Sequence, residues 1–318
     1  MEVGAAQKEE EKEEACLGRG IDHLLKCSQQ SSQGNASSGL TRGDAVLLLK
    51  KMGCVSYLNG GTFGAVFTVQ SPERHVVKFI TLRGSKSVLP CSAEHEYKMQ
   101  KKFSRKCLGW KPHSLKLFQL SSASEGGGAA KATVHAILMP FVDMTLDVLI
   151  RKEVEECKLS TVSFLGERLA ELVKGALEAG LVHNDSKCNN IGLSRTGKVG
   201  FIDFGRSFDR ATLKHIGLSK KRVDYVLILG TALDAWRLQD SIGRWIEKSI
   251  RGGAEELAIV EEALLAPLRK MTESLLRPLS IFSEETWENT AWCTDAEVKE
   301  TIKLKFAGKL KKRRSAEA

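Results

Sequence analysis

No apolar run in this 318-residue chain reaches the roughly 18 consecutive residues that a membrane-spanning helix needs; the longest are AVLLL and YVLIL. The N-terminus, MEVGAAQKEEEKEEACLG, is acidic and lacks the apolar stretch of a signal peptide. The eight cysteines form no C-x-x-C pair and no Cys/His cluster at metal spacing, so no structural zinc site is visible. They read as reduced thiols of a cytoplasmic or nuclear protein. No aromatic residue interleaves with the closing basic run Lys309–Arg314. Despite a net charge of +9, that run reads as a solvated tail, and no dedicated nucleic-acid surface or membrane association is expected. What is present, 42% hydrophobic and 27% charged residues, suits a globular chain with ample surface to bury a core.

Residues 1–42 are rich in Glu, Lys, Ser, Gln and Gly and are expected to form a disordered polar tail, although KEEEKEEA is helix-forming by itself. Order is expected from about Asp44, at DAVLLLKKM. The segments VSYLNGG, GAVFTVQ and HVVKFIT read as strands divided by turns. CSAEHEYKMQKKFSRK has helix-forming composition. SLKLFQL and TVHAILMPFV follow as strands around the flexible loop SSASEGGGAA. After Phe141 the character changes. Phe164, Leu165, Leu169, Leu172, Val173, Ala176 and Leu177 recur at helical spacing, and Gly180 marks the end. NNIGL and VGFID read as short strands around the turn SRTGK, and beyond Arg222 the chain is mostly helical. A strand-rich front half and a helical back half predict an α+β arrangement of two lobes.

The stretch LVHNDSKCNNIGLSRTGKVGFIDFG, Leu181 to Gly205, places polar clusters between apolar segments. His183, Asp185, Lys187 and Asn190 stand as H-x-D-x-K-x-x-N, and Asp203, Phe204 and Gly205 as D-F-G, with the two aspartates 18 residues apart. This pattern resembles the catalytic loop and metal-binding turn of the protein kinase family. The resemblance implies a bilobal fold, with a small antiparallel-sheet N-lobe carrying one helix (43–142) and a larger, mainly helical C-lobe (143–300), followed by a basic tail (301–318). It also implies ATP and Mg²⁺ as cofactors. Asp203 and Asn190 would be the metal ligands, Asp185 would accept or orient the proton of the attacking hydroxyl, and Lys187 would steady the γ-phosphate. His183 would be a packing residue.

The front half extends the likeness. LNGGTFGAVF is similar to the glycine-rich loop that covers ATP phosphates, with Asn59 in place of its first glycine, then Gly61, Gly64 and Val66. In HVVKF, Lys78 takes the place of the strand lysine that holds the α- and β-phosphates. Glu96, with Glu94 as the alternative, would orient that lysine. Met139 would guard the rear of the adenine pocket, and Phe141 and Val142 would lie in the hinge, near Met139–Val142.

Some positions depart from the family. The Arg of His-Arg-Asp is Asn184, so phosphorylation of the activation segment is not the expected switch. The segment after D-F-G is short and has no A-P-E. Asp224 and Asp234 fall near or within the next long helix without a clean match to the family pattern. Gln100 stands where an apolar residue usually packs near the Phe of D-F-G. The expected activity is transfer of the γ-phosphate of ATP to a hydroxyl of a protein partner, of Ser/Thr type because Lys187 and D-F-G are intact. The alternatives are a kinase-fold binding or scaffold protein and a small-molecule kinase.

Overall fold

The computed structural model describes residues 2–31, 40–61, 64–81, 92–121, 131–155, 159–249 and 254–276. Five strands, β1 (Cys54–Gly61), β2 (Gly64–Val69), β3 (His75–Thr81), β4 (Ser114–Ser121) and β5 (Lys131–Pro140), form an antiparallel sheet in the order β1-β2-β3-β5-β4. Alternation along the strands gives the sheet two different faces. Ala65, Phe67, Val77, Phe79, Val134 and Ala136 point to one side, into a core closed by α1 (Glu2–Ser31) and α2 (Arg42–Met52). Ile80 and Ile137 point to the other, where they meet Ala93 of α3 (Ala93–Arg105). Lys78 lies two residues from Ile80 and opposite Ile137 in register, so the same period of two turns it toward α3.

Helix α2 starts where the sequence signals it. Thr41 caps the N-terminus, with Asp44 completing a reciprocal capping box, and Gly53 ends the helix in a left-handed conformation at φ 63°. The expected disordered tail, 1–42, is corrected by α1. Ile21, Leu24 and Cys27 are buried, with Leu17 and Leu25 packed beside that core, which is an apolar stripe at three- and four-residue spacing within a polar composition. The helix approaches the sheet closely at Gly20, where a Cβ would stand 2.4 Å from the Phe67 ring. The sheet therefore carries three helices rather than the one expected. The loop SSASEGGGAA and the basic tail 301–318 lie outside the described residues.

The rest of the described chain is mainly helical. Helices α4 (Leu146–Glu155), α5 (Leu159–Glu178), α7 (Lys220–Ser249) and α8 (Ala254–Leu276) share one core. It is built from Leu146, Ile150, Leu165, Leu169, Leu172, Val173, Leu238, Ile242, Leu264 and Leu268. A short α6 (Arg210–His215) precedes α7. Two small antiparallel sheets sit beside these helices. One joins β6 (Met144–Thr145), β8 (Ile191–Leu193) and β9 (Val199–Phe201); the other joins β7 (Leu181–Val182) and β10 (Phe208–Asp209). Met99 and Phe103 of α3 enter the helical core beside Phe201 and Phe204, which ties the sheet half to the loops after β7 and β9. The architecture is thus mixed α/β with antiparallel sheets, and no described helix is long and apolar enough to cross a membrane.

Candidate functional site

Lys78 is 8% exposed and Glu96 is 4% exposed, so neither charge is tolerable without a partner. Helix α3 supplies it. Glu96, Met99, Gln100 and Phe103 form its buried stripe, and Glu96 Oε1 accepts from Lys78 Nζ at 2.7 Å. Glu94 lies off that stripe and pairs with His135 at 3.3 Å, which leaves Glu96 as the lysine's carboxylate. Lys78 Nζ also donates to Asp203 Oδ1 at 2.7 Å, linking β3, α3 and the turn after β9. Burial alone would lower the Lys78 ammonium, but the Asp203 and Glu96 carboxylates outweigh it and the group titrates above its ordinary value. Burial pushes the Glu96 carboxyl up against the opposing pull of Lys78. For Asp203, whose side chain is partly exposed, desolvation on its inner side acts upward, yet the Lys78 ammonium outweighs it and holds the carboxyl down at about 2.

The turn that presents Asp203 is strained in a defined way. Asp203 adopts φ 63° and Asn184 φ 62°, left-handed conformations that are uncommon outside glycine. Phe204 is buried against Phe103 at 4.9 Å and His183 at 5.4 Å between ring centroids. Phe103 thus provides the apolar contact that Gln100 does not. Gln100 is buried and donates from Nε2 to the Trp110 carbonyl at 3.2 Å. At Gly205, a Cβ would stand 3.2 Å from Glu96 Oε2, so a side chain there would press on the buried carboxylate.

The second group forms on the loop after β7. Asn190 Nδ2 donates to the Asp185 backbone carbonyl at 2.9 Å and to Asp185 Oδ2 at 3.0 Å, and Lys187 Nζ lies 3.2 Å from the same Oδ2. His183 is fully buried, stacks on Phe201 at 4.6 Å and donates from Nε2 to the Ile202 carbonyl at 3.0 Å. Because Nε2 is committed and buried, His183 acts as packing. The Ile202 amide in turn donates to the Asn190 carbonyl at 2.9 Å, so the two loops are stitched into one unit.

That unit is anchored from behind by α7. Asp234, buried within an apolar helix, accepts from the His183 and Asn184 amides at 2.8 and 3.0 Å. Arg237 Nη1 donates to the Asn184 side-chain oxygen at 3.1 Å, and Ser207 Oγ donates to the His183 carbonyl at 3.0 Å. Asp224 instead pairs with Arg210. The sequence pattern leaves the roles of Asp234 and Asp224 open, and it gives no local sign of the Arg237 contact or of the Ser207 bond to the His183 carbonyl. The available signal was an isolated carboxylate in the run LILGTALDAW, which needs a polar partner wherever it is buried.

The remaining candidates line the edges of this arrangement. Val66 pairs in register with Lys78, and Asn59 pairs with Val66. Gly61 pairs with Gly64 at the hairpin end. Asn59 does not use a left-handed backbone; its Oδ1 accepts from the Gly60 amide at 2.8 Å. Met139 packs near Ile80, Ala93 and Ile137. The Phe141 amide donates to the Arg74 carbonyl at 2.9 Å, and the Arg74 guanidinium lies 4.0 Å from its ring centroid. Val142 packs against Gly192.

The chemistry on offer is that of a cation and oxygen ligands. Among the described residues no three His, Cys, Asp or Glu side chains cluster at metal-binding geometry. A divalent metal here would have Asp203 and Asn190 as side-chain ligands and would need further oxygens from elsewhere, a set that suits magnesium better than zinc. No protein-family model matches the chain, and no curated protein matches it.

Proposed function

We propose that this chain is an ATP- and Mg²⁺-dependent phosphotransferase with a bilobal, protein-kinase-like fold, acting on Ser or Thr hydroxyls of a protein partner. The observation that supports it most is the convergence on Lys78. Its Nζ lies 2.7 Å from both Glu96 Oε1 and Asp203 Oδ1, carboxylates that are far from it in sequence. The donor set fits magnesium: Asp203 stays ionised with its side chain 43% exposed, and the Asn190 Nδ2 bonds to Asp185 leave its Oδ1 outside them. Bound magnesium supplies charge neutralisation between carboxylates and phosphates.

The protein's own groups do the rest by position. Lys78, oriented by Glu96, would hold the nucleotide's phosphates. Asp185 has Oδ2 held by Asn190 and Lys187, which leaves Oδ1 to take the hydroxyl proton. Lys187, 45% exposed at its side chain, reaches into solvent where the γ-phosphate is transferred.

Transfer of labelled γ-phosphate to a protein mixture tests the reading, with wild type and Asp185→Asn run in parallel. Asp185→Asn is expected to lower transfer by at least about 10²-fold while nucleotide affinity stays nearly unchanged. Equal transfer by the two proteins would overturn the assignment. A second reading, nucleotide binding without turnover, draws on the direct contact of Lys78 with Asp203, which engages a metal-ligand carboxylate. ATP binding without any labelling would favour it.

A further inference from the structure

At the C-terminus of α3 lies a concave site. A cavity of about 410 Å³ is lined by Lys102, Arg105, Lys106, Arg210 and Lys214, with Ala179, Gly180, Leu181 and Ala211 as its uncharged wall. Five cations around one small cavity repel each other unless something neutralises them. The single acid in the lining is Asp209, and it is committed. It takes the Lys102 ammonium, and its Oδ1 accepts from the Thr212 amide at 2.8 Å and hydroxyl at 2.7 Å. Arg210 pairs outward with Asp224.

Lys102 and Arg105 lie in the last turn of α3, where the helix dipole favours a cation, but the last carbonyls there are taken by backbone amides rather than by these side chains. At the end of α3, backbone amides of Lys106 and Leu108 take the Phe103 carbonyl, and that of Cys107 takes the Ser104 carbonyl. At the end of α5, Gly180 takes the Leu177 carbonyl, and Arg210 takes the Gly180 carbonyl. Arg105, Lys106 and Lys214 are exposed and make no ion pair with a described carboxylate. Three uncommitted cations from two helices therefore face one concavity.

We infer that this cavity binds a phosphomonoester dianion. Its chemistry points to that class in three ways. The uncommitted charge exceeds what a single carboxylate would neutralise. Two lysines and an arginine present many N–H donors to several anionic oxygens at once. The volume exceeds that of one phosphate, and the uncharged wall leaves room for the hydrocarbon of an ester. Among the described residues no aromatic side chain lines the cavity, so none of them offers base stacking to favour nucleic acid. Asp209 and Lys214 follow the Asp203–Gly205 turn, and β10 pairs Asp209 with Leu181 just before the Asp185 loop, so an occupant would sit against both site loops from behind. The inference does not depend on phosphotransfer.

The test uses the full chain without nucleotide, because an ATP analogue is itself a phosphate anion that would compete for the cavity; a probe held near Lys78 instead would be insensitive to the cavity substitutions. Fluorescence anisotropy follows a labelled short phosphoserine peptide and its unphosphorylated counterpart, and inorganic phosphate serves as competitor. The phosphopeptide is expected to bind at least tenfold more tightly than its counterpart. Arg105→Glu/Lys106→Glu/Lys214→Glu should weaken it tenfold or more, with an unchanged circular dichroism spectrum. Lys214→Ala, a milder change, should weaken it two- to fivefold. Displacement by inorganic phosphate at similar concentration would identify a free anion as sufficient ligand; displacement only at far higher concentration would identify an ester on a protein. Equal binding by wild type and both variants, or no preference for the phosphorylated peptide, would overturn the site.

Discussion

One buried cation and one cluster of mostly exposed cations lie at the two ends of α3, and they are treated differently. At the first, Lys78 is buried and its partners are two carboxylates, Glu96 18 residues away and Asp203 125 residues away. At the basic cavity, only Lys102 has a carboxylate within the lining, while Arg105, Lys106 and Lys214 stay exposed. Solvation explains the contrast. A charge removed from water must be matched within the fold, so the cleft constrains β3, α3 and the turn after β9 together. A charge left in water imposes no such demand and is available to something that arrives later.

The sharpest way to break this contrast is Lys78→Met. It leaves the Glu96 carboxylate buried without its cation, and the expected cost is about 3–5 kcal/mol in urea unfolding. Adding Glu96→Met removes the orphaned charge and should recover at least half of that loss, since Asp203 can still ionise into solvent. A double variant no more stable than Lys78→Met would mean that packing at Lys78, rather than charge, sets the cost.

A smaller effect sharpens the same side. The Asp203 carboxyl is held at about 2, below its ordinary value near 4, so folding keeps it ionised. The stability it contributes is fully present above about pH 4 and is lost as pH falls toward 2. Glu96 is shifted the opposite way, and the cost of its burial is relieved as pH falls toward its ordinary value, before the Asp203 contribution is lost. Asp203→Asn removes the first contribution only. Its unfolding midpoint should fall less steeply than that of wild type between pH 4 and 2. Parallel acid limbs would show that Lys78 does not hold Asp203 in solution.

How far the sequence foretold this arrangement depends on the range of each signal. Strand alternation and the order of three strands, a helix and two strands are local, and they were legible. So was the choice of Glu96 over Glu94 in principle, because positions 96, 99, 100 and 103 share one helical stripe and 94 does not. Helix α1 is not evident from composition because Ile21 and Leu24 stand among Arg19, Gly20, Asp22 and His23 after a long run of glutamates and lysines, and the average over residues 1–42 hides their spacing. Asp234 was out of reach for another reason. It acts through a side chain on backbone amides 50 and 51 residues earlier, and nothing local reveals which amides lack a partner. Asn59, in the place of a glycine of the resembled loop, stays in the strand and accepts from the next amide with its side chain, a bond that sequence spacing does not reveal.

The exposed side of the comparison should yield the smallest effect on stability. Arg105→Ala, Lys106→Ala and Lys214→Ala each remove an exposed charge that pairs with no described carboxylate, so each should change unfolding stability by no more than about 0.5 kcal/mol. The sign is also informative. Five cations around one cavity repel, so removing one should be neutral or slightly stabilising at low salt. At about 1 M salt the Debye length shrinks to about 3 Å, and the difference from wild type should vanish. Thermal unfolding at low and high salt measures both. A salt-independent loss above about 1 kcal/mol would place these side chains in the structural framework alongside Lys78. A small, screened gain would leave them as charges the fold does not need, which is the condition for a site whose partner comes from outside.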